Sequence, residues 1–378
     1  MKILLIGGTG TLSTAVLERC LELGYDVTIM NRGNNNRGVP DSVEIIRGDF
    51  YDVKSIERIA NLKNHFDVIC DFLSRRPEDI ERVYPILCFN CFQYIFVSTA
   101  CVYRRGESDF PIKEDSPKPN PNWSYNVEKY NCECKLIELH KSIFDSKGGG
   151  THFYTIVRPY ITYDSQRIPY GIAPAYKYHR TLIERIRHGK PMFVWNDGTV
   201  RVTLKSTKDF AIGFVGLFMN EKAHNTDFHI TSDFSYTWKD VLELLYKKMG
   251  VESNIVSCTV DEIFTIWPEF RGMLIGDRIL EAIFDNGKIK DAVPELVFKT
   301  DLNLGIEKVI SYYNNRENYD YDYVFDAKAD RLLSGKVKSC RYIKYKEASL
   351  KSKILYFVYR NFNNRHANWI VKFLHISK

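Results

Sequence analysis

The 378-residue chain predicts a doubly wound α/β fold: a parallel sheet covered by helices on both faces, joined to a smaller mixed domain and a basic C-terminal tail. Two observations carry this expectation. Short apolar runs alternate with helix-spaced patterns through the first third, and repeated strand–helix–strand units need crossovers that make a parallel sheet. A glycine-rich turn also sits between the first apolar run and the first helical pattern.

Taken in order, strands are predicted at 2–6, 26–30, 43–47, 67–72 and 94–98, with helical spacing between them, as in Thr14 to Leu21. A strand at 154–158 extends the sheet. Beyond about Tyr160 the pattern turns irregular and aromatic, with a helix at 178–188, a strand at 192–195 and a helix at 238–249. The expected division is a dinucleotide-binding domain over 1–160, a substrate-side domain over 161–330 with some chain returning to the sheet, and a tail over 331–378.

Composition bounds the class. With 44% hydrophobic and 26% charged residues, the chain has ordinary globular proportions, which argues against long disorder. Nine cysteines form no secreted-domain framework, so a reduced, cytosolic compartment is expected. Cys88-x-x-Cys91 with Cys132-x-Cys134 is poorly spaced for a four-thiolate zinc site, and buried thiols are the preferred reading, with no metal. The opening run Lys2–Ile6 is too short for a signal peptide or a membrane span.

The first strand ends in Gly7-Gly8-Thr9-Gly10-Thr11-Leu12-Ser13. Glycines at Gly7 and Gly10 let the backbone approach a pyrophosphate, with Thr11 and Leu12 also placed at the cofactor, and the N-terminus of the helix that follows the turn meets its charge. Ser13 replaces the third glycine of the usual fingerprint. The second strand ends in Asn31-Arg32. An acidic residue there would accept ribose hydroxyls and repel a 2′-phosphate, whereas Asn31 removes the repulsion and Arg32, helped by Arg37, can pair with phosphate. NADP is therefore expected over NAD. Asp49 and Phe50, after the third strand, are placed toward the adenine, with Asp49 or Asp52 as a helix N-cap as the plain alternative.

Tyr125 and Lys129 lie four apart, on one face of a helix. A nearby ammonium favours the phenolate of a tyrosine that ordinarily titrates near 10, and lysine can also hold the nicotinamide ribose. At the end of the fifth strand stand Ser98-Thr99-Ala100-Cys101-Val102-Tyr103, where a hydroxyl can donate to the substrate oxygen that Tyr125 deprotonates.

With these motifs in order, followed by Arg158-Pro159, residues 1–250 resemble the extended short-chain dehydrogenase/reductase family, which includes nucleotide-sugar epimerases and dehydratases. The resemblance implies catalytic roles for Tyr125, Lys129 and Thr99, with Ser98 and Lys129 toward the cofactor. It also implies an NAD(P)-dependent epimerase or reductase acting by hydride transfer at a sugar carbinol. Dehydratases of the family carry Asp-Glu after the threonine. Ala100-Cys101 here cannot move protons usefully. Substrate contacts are expected from Thr99, Tyr125, Tyr160 and Arg201, the last one residue off the family's usual arginine position. Ile161 stands near where sugar epimerases often hold an asparagine. These departures point to a divergent branch that includes chloroplast stem-loop-binding relatives, so a redox sensor or a nucleic-acid-binding protein on the same scaffold are the rival readings. A homodimer is expected by analogy alone.

Residues 331–378 hold twelve Lys/Arg and one acid, Glu347. The whole chain is +6; taking +11 for the tail leaves −5 for residues 1–330. The tail alternates cations with Ile, Leu, Tyr, Phe and Trp. Three readings follow: an amphipathic segment on an anionic membrane, a helix packed on the body, or a nucleic-acid contact. The first would place an enzyme of surface-polysaccharide synthesis at the inner membrane face.

Overall fold

A computed structural model describes residues 1–34, 36, 38–62, 65–106, 110–144, 152–315, 320–337 and 348–376. Arg37, expected to assist Arg32, lies outside the described residues.

Contacts divide the chain into two compact units that do not follow chain order. The first comprises 1–162, 203–235 and 282–301, and the second 163–202, 236–281 and 302–378. In the first, β1 (Lys2–Ile6), α1 (Thr11–Glu22), β2 (Asp26–Asn31), β3 (Glu44–Arg47), α2 (Val53–Ala60), β4 (Phe66–Asp71), α3 (Pro77–Leu87), β5 (Cys91–Val97), α4 (Ser124–Phe144) and β6 (Phe153–Pro159) succeed one another. α5 (Thr207–Val215) and β7 (Thr226–Ile230) follow, so the chain does return to the sheet. The seven strands run in the order β7-β6-β5-β4-β1-β2-β3, every neighbouring pair parallel.

The period-2 geometry of β1 shows how the sheet is held. Ile3 and Leu5 enter one core with Val16, Leu17 and Cys20 of α1 and Phe210 and Phe214 of α5. Leu4 and Ile6 enter the opposite core with Ile56 of α2, Val83 of α3 and Leu136 of α4. Each such side chain contributes about 1.5–3 kcal/mol when fully buried. A strand buried on both faces has to be apolar throughout, which is why Ile3 to Ile6 is an unbroken run.

The strand order reverses between β1 and β4. The loops leaving their carboxyl ends therefore separate toward opposite faces and leave a crevice, the usual ligand position in such folds.

The second unit contains a parallel pair, Met192–Trp195 beside Ile255–Cys258, among helices. These include Arg180–Arg187, Trp238–Met249, Tyr323–Leu333, Leu350–Asn361 and Asn364–Phe373. Arg185 and Lys190 are buried against Asp326 and Asp330. Tyr356 donates to Asp330 at 2.5 Å, tying the C-terminal helices to the same charge cluster. The described part of 331–378 is thus built into the second unit, because Leu355, Tyr356, Val358 and Tyr359 have an apolar partner in the helix Tyr323–Leu333.

Candidate cofactor and active site

The turn after β1 is constrained by close packing. Gly7 has φ +88°, and a Cβ there would fall 2.7 Å from the Leu73 side chain. A Cβ on Gly8 would meet Ile29 of β2 at 2.7 Å. Ser13 holds the turn shut: its hydroxyl donates to Gly7 O at 2.7 Å and accepts from Gly10 N at 2.9 Å. The substitution of the third glycine therefore adds a clasp. Thr11 and Leu12 form the first turn of α1, where Gly10 offers no side chain to cap and no acidic residue is present. Amides in a first helical turn have no intrahelical acceptor and can meet an anion.

This turn borders a cavity of about 450 Å³ lined by Gly7, Thr9, Gly10, Met30, Asn31, Arg32, Asn34, Gly48, Asp49, Phe50, Tyr51, Leu73 and Arg75. Asn31 uses its Oδ1 to accept from Gly33 N at 2.7 Å and its Nδ2 to donate to Asn36 at 2.8 Å. Asp49 accepts from Tyr51 N at 3.0 Å, while Asp52 is the residue that caps α2, accepting from Lys54 N. The N-cap of that acidic pair is therefore Asp52. Arg82 lies over the Phe50 and Tyr51 rings at 5.1 and 5.3 Å, bracing this wall.

Leu73 and Arg75 were not singled out in the sequence. Asp71, fully buried, accepts from Leu73 N, Ser74 N, Ser74 Oγ and Tyr94 OH. That carboxylate sets the loop after β4, and so delivers Arg75 to the cavity. An acidic residue ending a strand that otherwise reads as apolar is the signal that marked it.

Tyr125 and Lys129 sit near the start of α4. Lys129 is buried, and its ammonium donates to Ser74 O at 2.8 Å and Val97 O at 2.7 Å, beneath the Phe96 ring. Burial lowers its pKa to about 8. Tyr125 is half-buried, with the Trp123 ring 4.8 Å away. Its pKa is pushed up to about 12, chiefly by burial and also by Cys101, while the Arg75 charge and a hydrogen bond with Thr99 pull it down. The expected lowering by Lys129 is not seen: the lysine's charge is spent on two carbonyls, and the cation acting on Tyr125 is Arg75.

The Ser98 hydroxyl, expected toward the cofactor, donates to Glu133 at 2.5 Å. Glu133 also takes two bonds from Arg158, at 2.9 and 2.7 Å, and Arg158 donates to Tyr103 at 2.7 Å. These side chains are all buried. The Ser98 hydroxyl is thus engaged with the Glu133–Arg158 network, while Thr99 bears on the Tyr125 pKa.

Tyr160 is buried, with Arg105 5.1 Å above its ring. Arg201 is exposed at the start of the strand Arg201–Thr203. Of the cysteines considered as zinc ligands, Cys88, Cys91 and Cys132 are buried and Cys134 is exposed; burial raises the Cys132 thiol to about 12.

Sheet order, crevice and glycine turn define a dinucleotide-binding protein of the doubly wound class. The chain belongs to the NAD dependent epimerase/dehydratase family, whose model matches residues 3–231. It is 24% identical over 262 residues to the chloroplast stem-loop binding protein of 41 kDa b of Arabidopsis thaliana, covering 66% of this chain and 63% of that protein. It is also 24% identical over 278 residues to a UDP-glucose 4-epimerase of Corynebacterium glutamicum, covering 66% and 81%. The UDP-glucose 4-epimerase of Thermotoga maritima, solved with UDP-glucose, superposes with a TM-score of 0.66 at 20% identity, covering 83% of this chain and 99% of that one. That likeness establishes the shared fold.

Proposed function

We propose that the protein is a nucleotide-sugar epimerase or reductase that uses NADP. The observation that carries this reading is that Thr99, Tyr125 and Lys129 lie in the same compact unit as the glycine-lined cavity, with Thr99 close enough to Tyr125 to draw its pKa down. A sensor that only bound a dinucleotide would have no need of that pair.

The residues present fit a dinucleotide. Close approach at Gly7 and Gly8 leaves backbone exposed to a pyrophosphate, and the uncapped start of α1 supplies donors. Asn31 and Arg32 at the cavity suit a 2′-phosphate, since neither repels it and Arg32 can pair with it. When bound, the nicotinamide supplies the hydride acceptor and donor. Lys129, fixed by Ser74 O and Val97 O, is assigned to orient the ribose. Tyr125 takes the proton from the sugar hydroxyl and later returns it; Thr99 holds the same oxygen by a hydrogen bond. Arg75 opposes the upward push of burial on the Tyr125 pKa. Cys101 and Ala100 leave no acid or base for elimination of water, so oxidation and reduction at one carbon is the net chemistry.

The relatives named above make a UDP-sugar the first substrate to test. Tyr160, in the same compact unit as Tyr125, is assigned to it. A homodimer in a cytosolic compartment completes the reading.

The test is turnover of a nucleotide-sugar panel by purified protein and by Tyr125→Phe. Interconversion of two sugars without net cofactor change, abolished in the variant, establishes an epimerase; stoichiometric NADPH oxidation establishes a reductase. Cofactor binding with no response to any sugar would overturn the enzymatic reading.

A further inference from the structure

We propose that the two C-terminal helices form a docking surface for an anionic lipid bilayer, an inference independent of the reaction catalysed. The helix Leu350–Asn361 turns Leu355, Val358 and Tyr359 inward, and the helix Asn364–Phe373 turns Ala367 and Val371 inward. Arg331 fastens both, donating to the carbonyls of Tyr359 and Phe362 and to Asn364. Their buried faces are thus accounted for within the second unit.

Their outer faces are not what water selects. Leu350 is 74% exposed, Phe357 60%, Trp369 64% and Phe373 68%. Six of the fifteen exposed large apolar side chains among the described residues fall within 350–374. Leu350, Lys353 and Phe357 follow one another at helical spacing, as do Arg365, Trp369 and Phe373, with Lys372 three residues after Trp369. The Trp369 and Phe373 rings already stack, 5.4 Å apart. From Ala348 to Ile376 there are five Lys/Arg and no acidic residue.

Cations interleaved with exposed aromatic and aliphatic groups match the headgroup–acyl boundary of an anionic bilayer: the rings and leucines enter the apolar layer while the cations meet phosphate. The aliphatic members, Leu350 and Leu374, favour lipid over RNA, because RNA offers bases for rings to stack on but no apolar layer for leucines. No helix among the described residues is long and apolar enough to cross a membrane, so the segment would lie in the interface plane.

The test is flotation of the full chain with vesicles of phosphatidylcholine alone and of phosphatidylcholine mixed with phosphatidylglycerol. Binding to the anionic vesicles, weakened by salt, is expected. Neutralising Lys353 and Lys372 with Gln should weaken it about five-fold per charge. Trp369→Ser with Phe373→Ser should weaken it at least about ten-fold even at low salt. All four side chains are exposed, so unchanged thermal midpoints will separate lost docking from lost folding. Absence of flotation on the anionic vesicles would overturn the proposal, as would flotation indifferent to both double variants. So would binding of poly(U) RNA in preference to the vesicles with the same sensitivity to substitution.

Discussion

Replacing Asn31 with Asp turns the end of β2 from neutral to negative without dismantling the turn it holds. Asn31 Oδ1 accepts from Gly33 N at 2.7 Å, and a carboxylate oxygen in that place accepts the same bond more strongly. Only the donation to Asn36 is lost. For a ligand charge held roughly 5 Å from the new carboxylate, at an effective dielectric of about 20, the repulsion is about 3 kcal/mol per unit charge. That corresponds to about a hundred-fold weaker NADPH binding. Arg32→Ala removes the opposing attraction. A hydrogen bond to a charged group is worth about 1.5–3 kcal/mol, so NADPH should weaken about ten- to a hundred-fold. NADH, which has no 2′-phosphate, should bind both variants as it binds the native chain. Titration of each protein with both cofactors, read by nicotinamide fluorescence, gives the four ratios needed. If Arg32→Ala weakens NADH and NADPH equally, or the native chain already prefers NADH, the assignment of Arg32 to the phosphate is wrong.

Arg75→Gln removes the cation that draws Tyr125 downward, so for oxidation of the sugar the rising limb of the pH–rate profile should move to higher pH, while Arg75→Lys should largely restore it. Lys205 tests the energetics of burial. Its ammonium has no hydrogen-bond partner among the described residues, and burial lowers its pKa from 10.5 to about 7. The folded chain therefore holds fewer protons than the unfolded chain between those values, and stability should rise with pH across that window. Lys205→Met should be the more stable protein at neutral pH, with an advantage that shrinks toward pH 10.5, as urea midpoints across pH would record. Arg158→Met strands the buried Glu133 carboxylate and should cost about 3–5 kcal/mol; replacing Glu133 with Leu as well should recover much of that loss. Chemical denaturation of the single and double variants measures the recovery.

What the sequence by itself determined is local. The unbroken apolar run Ile3 to Ile6, the glycines at Gly7 and Gly10 and the four-residue spacing of Tyr125 and Lys129 are each set by near neighbours, and strand or helix geometry converts them directly into position. The strand Met192–Trp195 and the helix Trp238–Met249 were legible with their boundaries for the same reason. Strand order is not local, and what depends on it had to come from the tertiary structure. Only because β4 lies beside β1 do Leu73 and Arg75 reach the glycine turn. Only because α4 packs where it does is Ser98 claimed by Glu133 and Lys129 by two carbonyls, leaving Arg75 to act on Tyr125. The same holds at the C-terminus: periodicity showed that residues 350–374 have an apolar face, but the helix Tyr323–Leu333 decided which apolar residues it could cover. A helix buries only what a partner surface opposes, and the side chains left over, Trp369 and Phe373 among them, remain exposed.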